Sequence, residues 1–195
     1  MQIKIIKRNW RALCCSLLFI VMFLVGGCER DAANAGQLDL VPLETVAENA
    51  QYRAWLNDLP AYSREYDPSR DPAADLQAAT LAASESNKLI FVVVGGDWCS
   101  WCHVMTRFFS EEIAVQKVLL NNYEFLKLNV SEDNSNEEFL AAYPEVDGYP
   151  HIYILSSSGD LLHSQNAFEL QHGNTYSAEK FARFLQRFPL SLIHI

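Results

Sequence analysis

Leu89-Ile90-Phe91-Val92-Val93-Val94-Gly95-Gly96-Asp97-Trp98-Cys99-Ser100-Trp101-Cys102-His103 is the stretch that decides how this chain folds. Its first six residues are aliphatic, β-branched or aromatic with no polar break, the pattern of a strand buried on both faces, and Gly95-Gly96 bounds it. Cys99 then opens a helix. Two cysteines three apart at a strand-to-helix junction form a pair able to close and open a disulfide. At a helix N-terminus the unpaired N–H groups and the macrodipole favour an anion, so a thiolate at Cys99 is stabilised and its pKa falls from about 8.5 toward roughly 3.5–7.5. Cys99 is therefore the predicted nucleophile. Cys102, one turn deeper and less exposed, is placed to attack a mixed disulfide at Cys99 and release the substrate. It is the predicted resolving thiol.

The same residues admit other chemistry. Cys99-Ser100-Trp101-Cys102-His103 also fits the Cys-x-x-Cys-His pattern of covalent haem attachment, with His103 as proximal iron ligand. The pattern alone does not separate the two. No methionine follows Met105, which is too close to His103 to reach the far side of a haem, so a distal ligand would have to come from His151, His163, His172 or His194. The strand before the motif and the α/β order after it favour the redox dithiol. A structural zinc would need a second Cys-x-x-Cys pair, which the chain lacks.

The first residues set the compartment. Lys4, Lys7, Arg8 and Arg11 form a basic segment, and residues 12–27 are uncharged, mostly apolar and end in small side chains, which reads as a secretory signal. The stretch is shorter than the ~20 apolar residues of a membrane-spanning helix. Leu24-Val25-Gly26-Gly27-Cys28 resembles the lipobox of bacterial lipoproteins, which implies acylation of Cys28, cleavage before it and anchoring in a bilayer. Glu29 in place of aspartate implies outer-membrane sorting by analogy with Gram-negative lipoproteins. Cys14 and Cys15 then leave with the signal and Cys28 is committed to lipid, so Cys99 and Cys102 are the remaining thiols. An exported domain whose free cysteines are one such pair is better explained by a working dithiol than by stapling.

Residues 28–195 suffice for one modest domain with an extension. The four basic residues of the signal are offset by no acid, so the remaining 11 Lys and Arg face 24 Asp and Glu, a formal charge of −13. That balance argues against nucleic-acid binding. Residues 29–41 read as a flexible tether, and Glu44 to Leu59 as an amphipathic helix ended by Pro60. Tyr62 to Arg70 reads as a turn-rich connection. Asp71-Pro72 supplies an N-cap and a first-turn proline for a helix through Ser86, with Leu76, Ala79 and Ala83 as its apolar line. After the motif the spacing predicts a helix to Phe108 or Phe109, a second helix from Glu111 to Asn121 and a strand from Tyr123 to Val130. A loop from Ser131 to Asn136, a short helix from Glu137 to Tyr143 and a strand from His151 to Leu155 follow. A glycine-containing turn from Ser156 to Asp160, a returning strand from Leu161 to Ser164 and a last helix from Ser177 to Phe188 complete the domain. Residues 189–195 form an apolar tail.

This order of elements resembles the thioredoxin fold. The resemblance covers Pro72 to Phe188 and rests on the Trp-Cys-x-x-Cys helix start, on Gly148-Tyr149-Pro150 before a strand and on the glycine turn at 156–160. Trp98-Cys99-x-Trp101-Cys102-His103-Val104-Met105 is also similar to thioredoxin-like domains at the head of spermatogenesis-associated proteins. The resemblance implies an α/β domain, a central mixed sheet flanked by helices, here with an N-terminal helical extension. It implies a thiol–disulfide oxidoreductase acting on protein thiols and disulfides, with an electron donor or acceptor and no cofactor, here anchored to the bilayer through acylated Cys28; the alternative on the same fold is a non-catalytic module whose dithiol senses redox state or holds a metal.

In that family the proline before the strand is cis and sits beside the dithiol, which assigns Pro150 to the site. A cis bond there turns the Tyr149 backbone toward a substrate strand, able to pair by main-chain hydrogen bonds. Trp98, Trp101 and Tyr149 are candidate groove walls, and aromatic residues here serve equally as packing. Many thioredoxins carry a buried aspartate six residues before the first cysteine, where this chain has Val93. The usual proton acceptor for the resolving thiol is missing. Asp97 is nearer the surface and is expected to cap the helix. His103, four residues after Cys99, is a candidate modulator that favours the thiolate when protonated. With His151 after the proline, a metal cluster of Cys99, Cys102 and His151 is conceivable. Ser100-Trp101 matches neither the Gly-Pro of reducing thioredoxins nor the Pro-His of strong oxidants. The superfamily spans about −270 to −120 mV, about 7 kcal/mol, which leaves the direction open; the family analogy favours a reductase or isomerase-like role.

Overall fold

The computed structural model describes residues 58–188. The signal, Cys28, the tether, residues 44–57 of the expected amphipathic helix and the apolar tail lie outside the described residues.

The described chain opens with α1 (Ala61–Arg64) and α2 (Pro72–Ser86), then β1 (Leu89–Gly95) and the motif helix α3 (Ser100–Glu111). Next come α4 (Ile113–Asn122), β2 (Tyr123–Asn129) and the single turn α5 (Glu137–Leu140). β3 (His151–Leu155) and β4 (Leu161–Asn166) form a hairpin, and a 3₁₀ turn (Ala167–Leu170) leads to the paired two-residue strands β5 (Gln171–His172) and β6 (Thr175–Tyr176) before α6 (Ala178–Leu185). The principal sheet has the order β2-β1-β3-β4; β1 runs parallel to β2 and antiparallel to β3, and β3 is antiparallel to β4. The mixed sheet and its flanking helices make the fold thioredoxin-like, as the sequence predicts.

Alternation along β1 supplies two cores. Leu89, Phe91 and Val93 join a cluster with Met105, Phe108 and Phe109 of α3, Leu119 of α4 and Phe181 of α6, whereas Ile90, Val92 and Val94 join one with Ala79 and Ala83 of α2 and Tyr62 of α1. Phe91 anchors the first cluster: its ring stacks on Phe125 at 5.8 Å and meets Phe109 and Tyr123 edge-on at 6.0 and 5.8 Å. Each fully buried side chain of this size contributes roughly 1.5–3 kcal/mol through apolar area removed from water. α2 begins where expected because the Asp71 carboxylate accepts the N–H groups of Ala73 and Ala74 at 2.9 and 3.4 Å, and it ends at Asn87 in the left-handed region (φ 56°).

Several boundaries differ from the sequence reading. The connection from Tyr62 to Arg70 contains α1, a helical turn held by burial: the Ser63 hydroxyl donates to the Phe125 carbonyl and the Tyr62 hydroxyl to Glu124 Oε1 at 2.6 Å. α3 runs on to Glu111, and Glu112, with φ −92° and ψ 82°, breaks the chain before α4. β4 continues to Asn166, and α6 stops at Leu185. The β5–β6 hairpin, turned by Gly173 at φ 60°, went unpredicted because two-residue strands carry no alternation to read.

Candidate active site

β1 delivers the chain to the motif, and two close approaches explain why it ends in Gly95-Gly96. A Cβ on Gly95 would stand 2.5 Å from Cys102 Sγ; one on Gly96 would stand 2.5 Å from Trp98 Nε1 and 2.6 Å from the Val130 carbonyl oxygen. The first glycine seats the inner sulfur. The second lets the Trp98 indole N–H donate to the Val130 carbonyl at 2.6 Å, tying the motif to the end of β2.

Cys99 is the N-cap of α3, and its Sγ accepts the Cys102 backbone N–H at 3.1 Å. The cap places this sulfur where otherwise unpaired amides and the helix dipole point, so negative charge on it is favoured. Cys99 and Cys102 are joined as a disulfide, with Cα atoms 5.2 Å apart. Cys99 is 5% exposed and Cys102 is fully buried, the order expected of an attacking and a resolving thiol. Asp97 does not cap the helix with its carboxylate, as the sequence suggests. Its backbone carbonyl lies 2.7 Å from Nε2 of exposed His103, which donates because a carbonyl only accepts.

The Tyr149–Pro150 bond is cis, and Pro150 is buried. Val94 is the partner of His151, so the antiparallel register carries Pro150 alongside Gly95 and hence beside the seat of Cys102. Tyr149 meets Trp98 edge-on at 5.3 Å, and Trp98 is 59% exposed, so these two aromatics form one lip next to Cys99. Trp101 is half-buried against Tyr176 of the small hairpin at 5.6 Å, and the Tyr176 hydroxyl reaches its carbonyl at 3.4 Å.

The conceivable metal cluster is not formed: among the described residues no group of three His, Cys, Asp or Glu side chains is disposed to hold a metal ion. His151 is instead a buried ring, with Nε2 2.7 Å from the Ser164 hydroxyl and Nδ1 without a hydrogen bond, 3.7 Å from Asp147 Oδ1. Burial lowers its pKa, Asp147 opposes that shift and His163 adds to it.

Two residues that sequence reasoning passed over stand behind the dithiol. Lys127 is the β2 partner of Val93, and its ammonium donates to the Arg64 carbonyl at 2.7 Å and lies 5.2 Å from the Tyr66 ring centroid. Burial lowers its pKa to about 8 against the opposing charges of Asp97 and Glu65. Tyr66 is buried with both cysteines in one cluster, and its hydroxyl and ring end come within 3.3 Å of the same Gly95 position that Cys102 Sγ crowds. Burial raises its pKa above the ordinary tyrosine range, with Tyr176 and Asp97 adding to the rise. The readable signal for Lys127 was a lone cation on the core-facing register of an apolar strand. Tyr66 gave none, because nothing local marks a loop residue that closes onto a sheet.

A mixed four-stranded sheet, a helix that starts on a Cys-x-x-Cys pair and a neighbouring cis proline define a thioredoxin-like fold that carries a Cys99–Cys102 disulfide. Residues 71–157 match the thioredoxin-like family model. An uncharacterized protein of Caenorhabditis elegans is 34% identical over 83 residues, 43% of this chain, and the chain spans about a tenth of that relative's length (10%). The crystal structure of a disulphide isomerase from Xylella fastidiosa is similar at 23% identity and a TM-score of 0.54, covering 66% of this chain and 95% of its own. The oxidised C-terminal domain of DsbD from Neisseria meningitidis is similar at 21% identity and a TM-score of 0.46 over 60% of this chain and 95% of its own.

Proposed function

We propose that this chain is a thiol–disulfide oxidoreductase that acts on protein thiols and disulfides, reductase or isomerase-like in direction, exported and held at the cell envelope by acylated Cys28, on the outer membrane. The observation that carries the chemistry is Cys99 as N-cap of α3, its sulfur accepting an amide of the first turn with buried Cys102 bonded behind it.

In the reducing direction the Cys99 thiolate attacks one sulfur of a substrate disulfide, forming a mixed disulfide and expelling the other substrate sulfur as thiolate, which takes up a proton. Cys102 then loses its proton and attacks Cys99 Sγ. The Cys99–Cys102 disulfide forms, the mixed disulfide breaks, and the substrate leaves with two electrons. A donor dithiol restores the reduced pair. In isomerisation a different thiolate of the substrate attacks the substrate sulfur of the mixed disulfide before Cys102 intervenes: a new substrate disulfide forms, the bond to Cys99 breaks, the Cys99 thiolate is released, and no net electrons move. Pro150 and Tyr149 shape the face on which the substrate strand lies, and Trp98 borders it.

The test is a redox titration in glutathione or dithiothreitol buffers, with Cys99 and Cys102 trapped by an alkylating mass tag. A reversible two-electron transition is expected, and Cys102→Ser should accumulate mixed disulfides. Unreactive or already blocked cysteines would sink the reading, and a visible haem band would replace it with the electron-transfer alternative. The anchor is tested separately: Cys28→Ser should abolish acyl labelling and release the chain from membranes.

A further inference from the structure

A groove of about 510 Å³ begins at the lip beside the dithiol and runs away from it along the segment that joins β2 to β3. Val130 and Tyr149 line its near end, and both are held by Trp98, the residue before Cys99. Leu140 and Val146 line it farther on, and exposed Glu137 and Glu145 stand among its lining residues. The surrounding segment is acidic throughout: it carries Glu132, Asp133, Glu137, Glu138, Glu145 and Asp147, and the sequence has no Lys or Arg between Lys127 and Lys180. Lys127 does not offset that charge at the surface, because its ammonium is turned inward onto the Arg64 carbonyl.

From this we infer that the groove docks the polypeptide flanking the target disulfide and selects extended segments that carry lysine or arginine. The inference rests on the oxidoreductase reading and adds its substrate class. Lysine and arginine fit because they lay an aliphatic stem along an apolar wall while the charged head reaches a carboxylate at the rim. The open face of Trp98 offers an arginine a stacking partner next to the reacting sulfur. Opposite charge on a site of this kind raises encounter rates and rejects acidic partners, and it does so in a salt-dependent way.

The experiment uses the full chain, kept reduced by dithiothreitol as the donor dithiol with the uncatalysed rate subtracted, and two peptides with the same internal disulfide, one flanked by lysine and arginine and the other by glutamate, with hydroxyethyl disulfide as a small neutral substrate. At low salt kcat/KM for the basic peptide is expected to exceed that for the acidic one by about tenfold or more, and the ratio to shrink severalfold in 0.5 M salt. Glu137→Gln with Glu145→Gln should lower the ratio severalfold. Glu85→Gln with Glu111→Gln removes the same charge from exposed positions on α2 and α3 and should leave the ratio near its starting value. Equal kcat/KM for the two peptides overturns the inference, as does an equal fall in both double variants, which would assign the preference to net charge alone.

If hydroxyethyl disulfide is not turned over, the redox reading fails by itself. Fluorescence anisotropy of the same basic peptide with its cysteines replaced by serine then decides the groove, with tighter binding to the parent than to Glu137→Gln/Glu145→Gln expected and indifference overturning it. A chain that self-associates through this face, monomeric as Val146→Asp, would assign the groove to a second copy and overturn it too.

Discussion

Gly95 is where one hydrogen atom in place of a methyl group matters most. Gly95→Ala drives a Cβ into Cys102 Sγ and the Tyr66 ring end, atoms held by a disulfide and by a packed core. Overpacking of this kind costs roughly 1–3 kcal/mol, and urea denaturation of the oxidised variant should show that loss. Lys127 makes the second prediction. Its folded pKa, about 8, lies below the ordinary lysine value near 10.4, so between those pH values the unfolded chain binds more protons and stability rises with pH. The rise is on the order of 2–3 kcal/mol, and Lys127→Met should abolish it in denaturation curves taken at pH 7.5, 9 and 10. At this scale the sequence was legible where chemistry is local. Cys99, Cys102 and Pro150 follow from spacing and resemblance, whereas the partners of Lys127 and Tyr66 depend on which residues lie across the sheet.

Elements with their own start and stop signals were readable to within a residue, and those defined by burial were not. Asp71-Pro72 and Asn87 bracket α2, and six unbroken apolar residues announce β1. Asp71→Ala removes the acceptor for two first-turn amides and should cost about 1 kcal/mol, measurable as a lower denaturation midpoint with an unchanged slope. By contrast, α1 exists because Tyr62 and Ser63 find partners on β2, and the β5–β6 hairpin because Tyr176 packs on Trp101 and Phe108. The segment before β3 escaped detection as a groove for the same reason: its apolar residues have no periodicity and acquire a common purpose only when Trp98 bridges Val130 and Tyr149.

Across the described residues five tyrosines are buried in the two cores, and that sets an upper pH limit. Burial holds Tyr62, Tyr66, Tyr123, Tyr153 and Tyr176 above the ordinary value near 10, with Tyr153 at about 12. Above pH 10 the unfolded chain sheds phenolic protons that the folded chain keeps, so stability falls there, opposite in sign to the Lys127 effect. The oxidised chain should therefore be most stable between about pH 9 and 10, and the tyrosinate absorbance of these five buried residues should appear in one cooperative step with unfolding above that range. The sheet, the motif helix and the cis proline form a fixed frame, and residues 131–147 span two of its corners without adding a strand to the principal sheet. Such a span behaves as an exchangeable cassette: a loop of another charge and contour could replace it and change the surface beside Tyr149 while the frame that holds the disulfide stays intact.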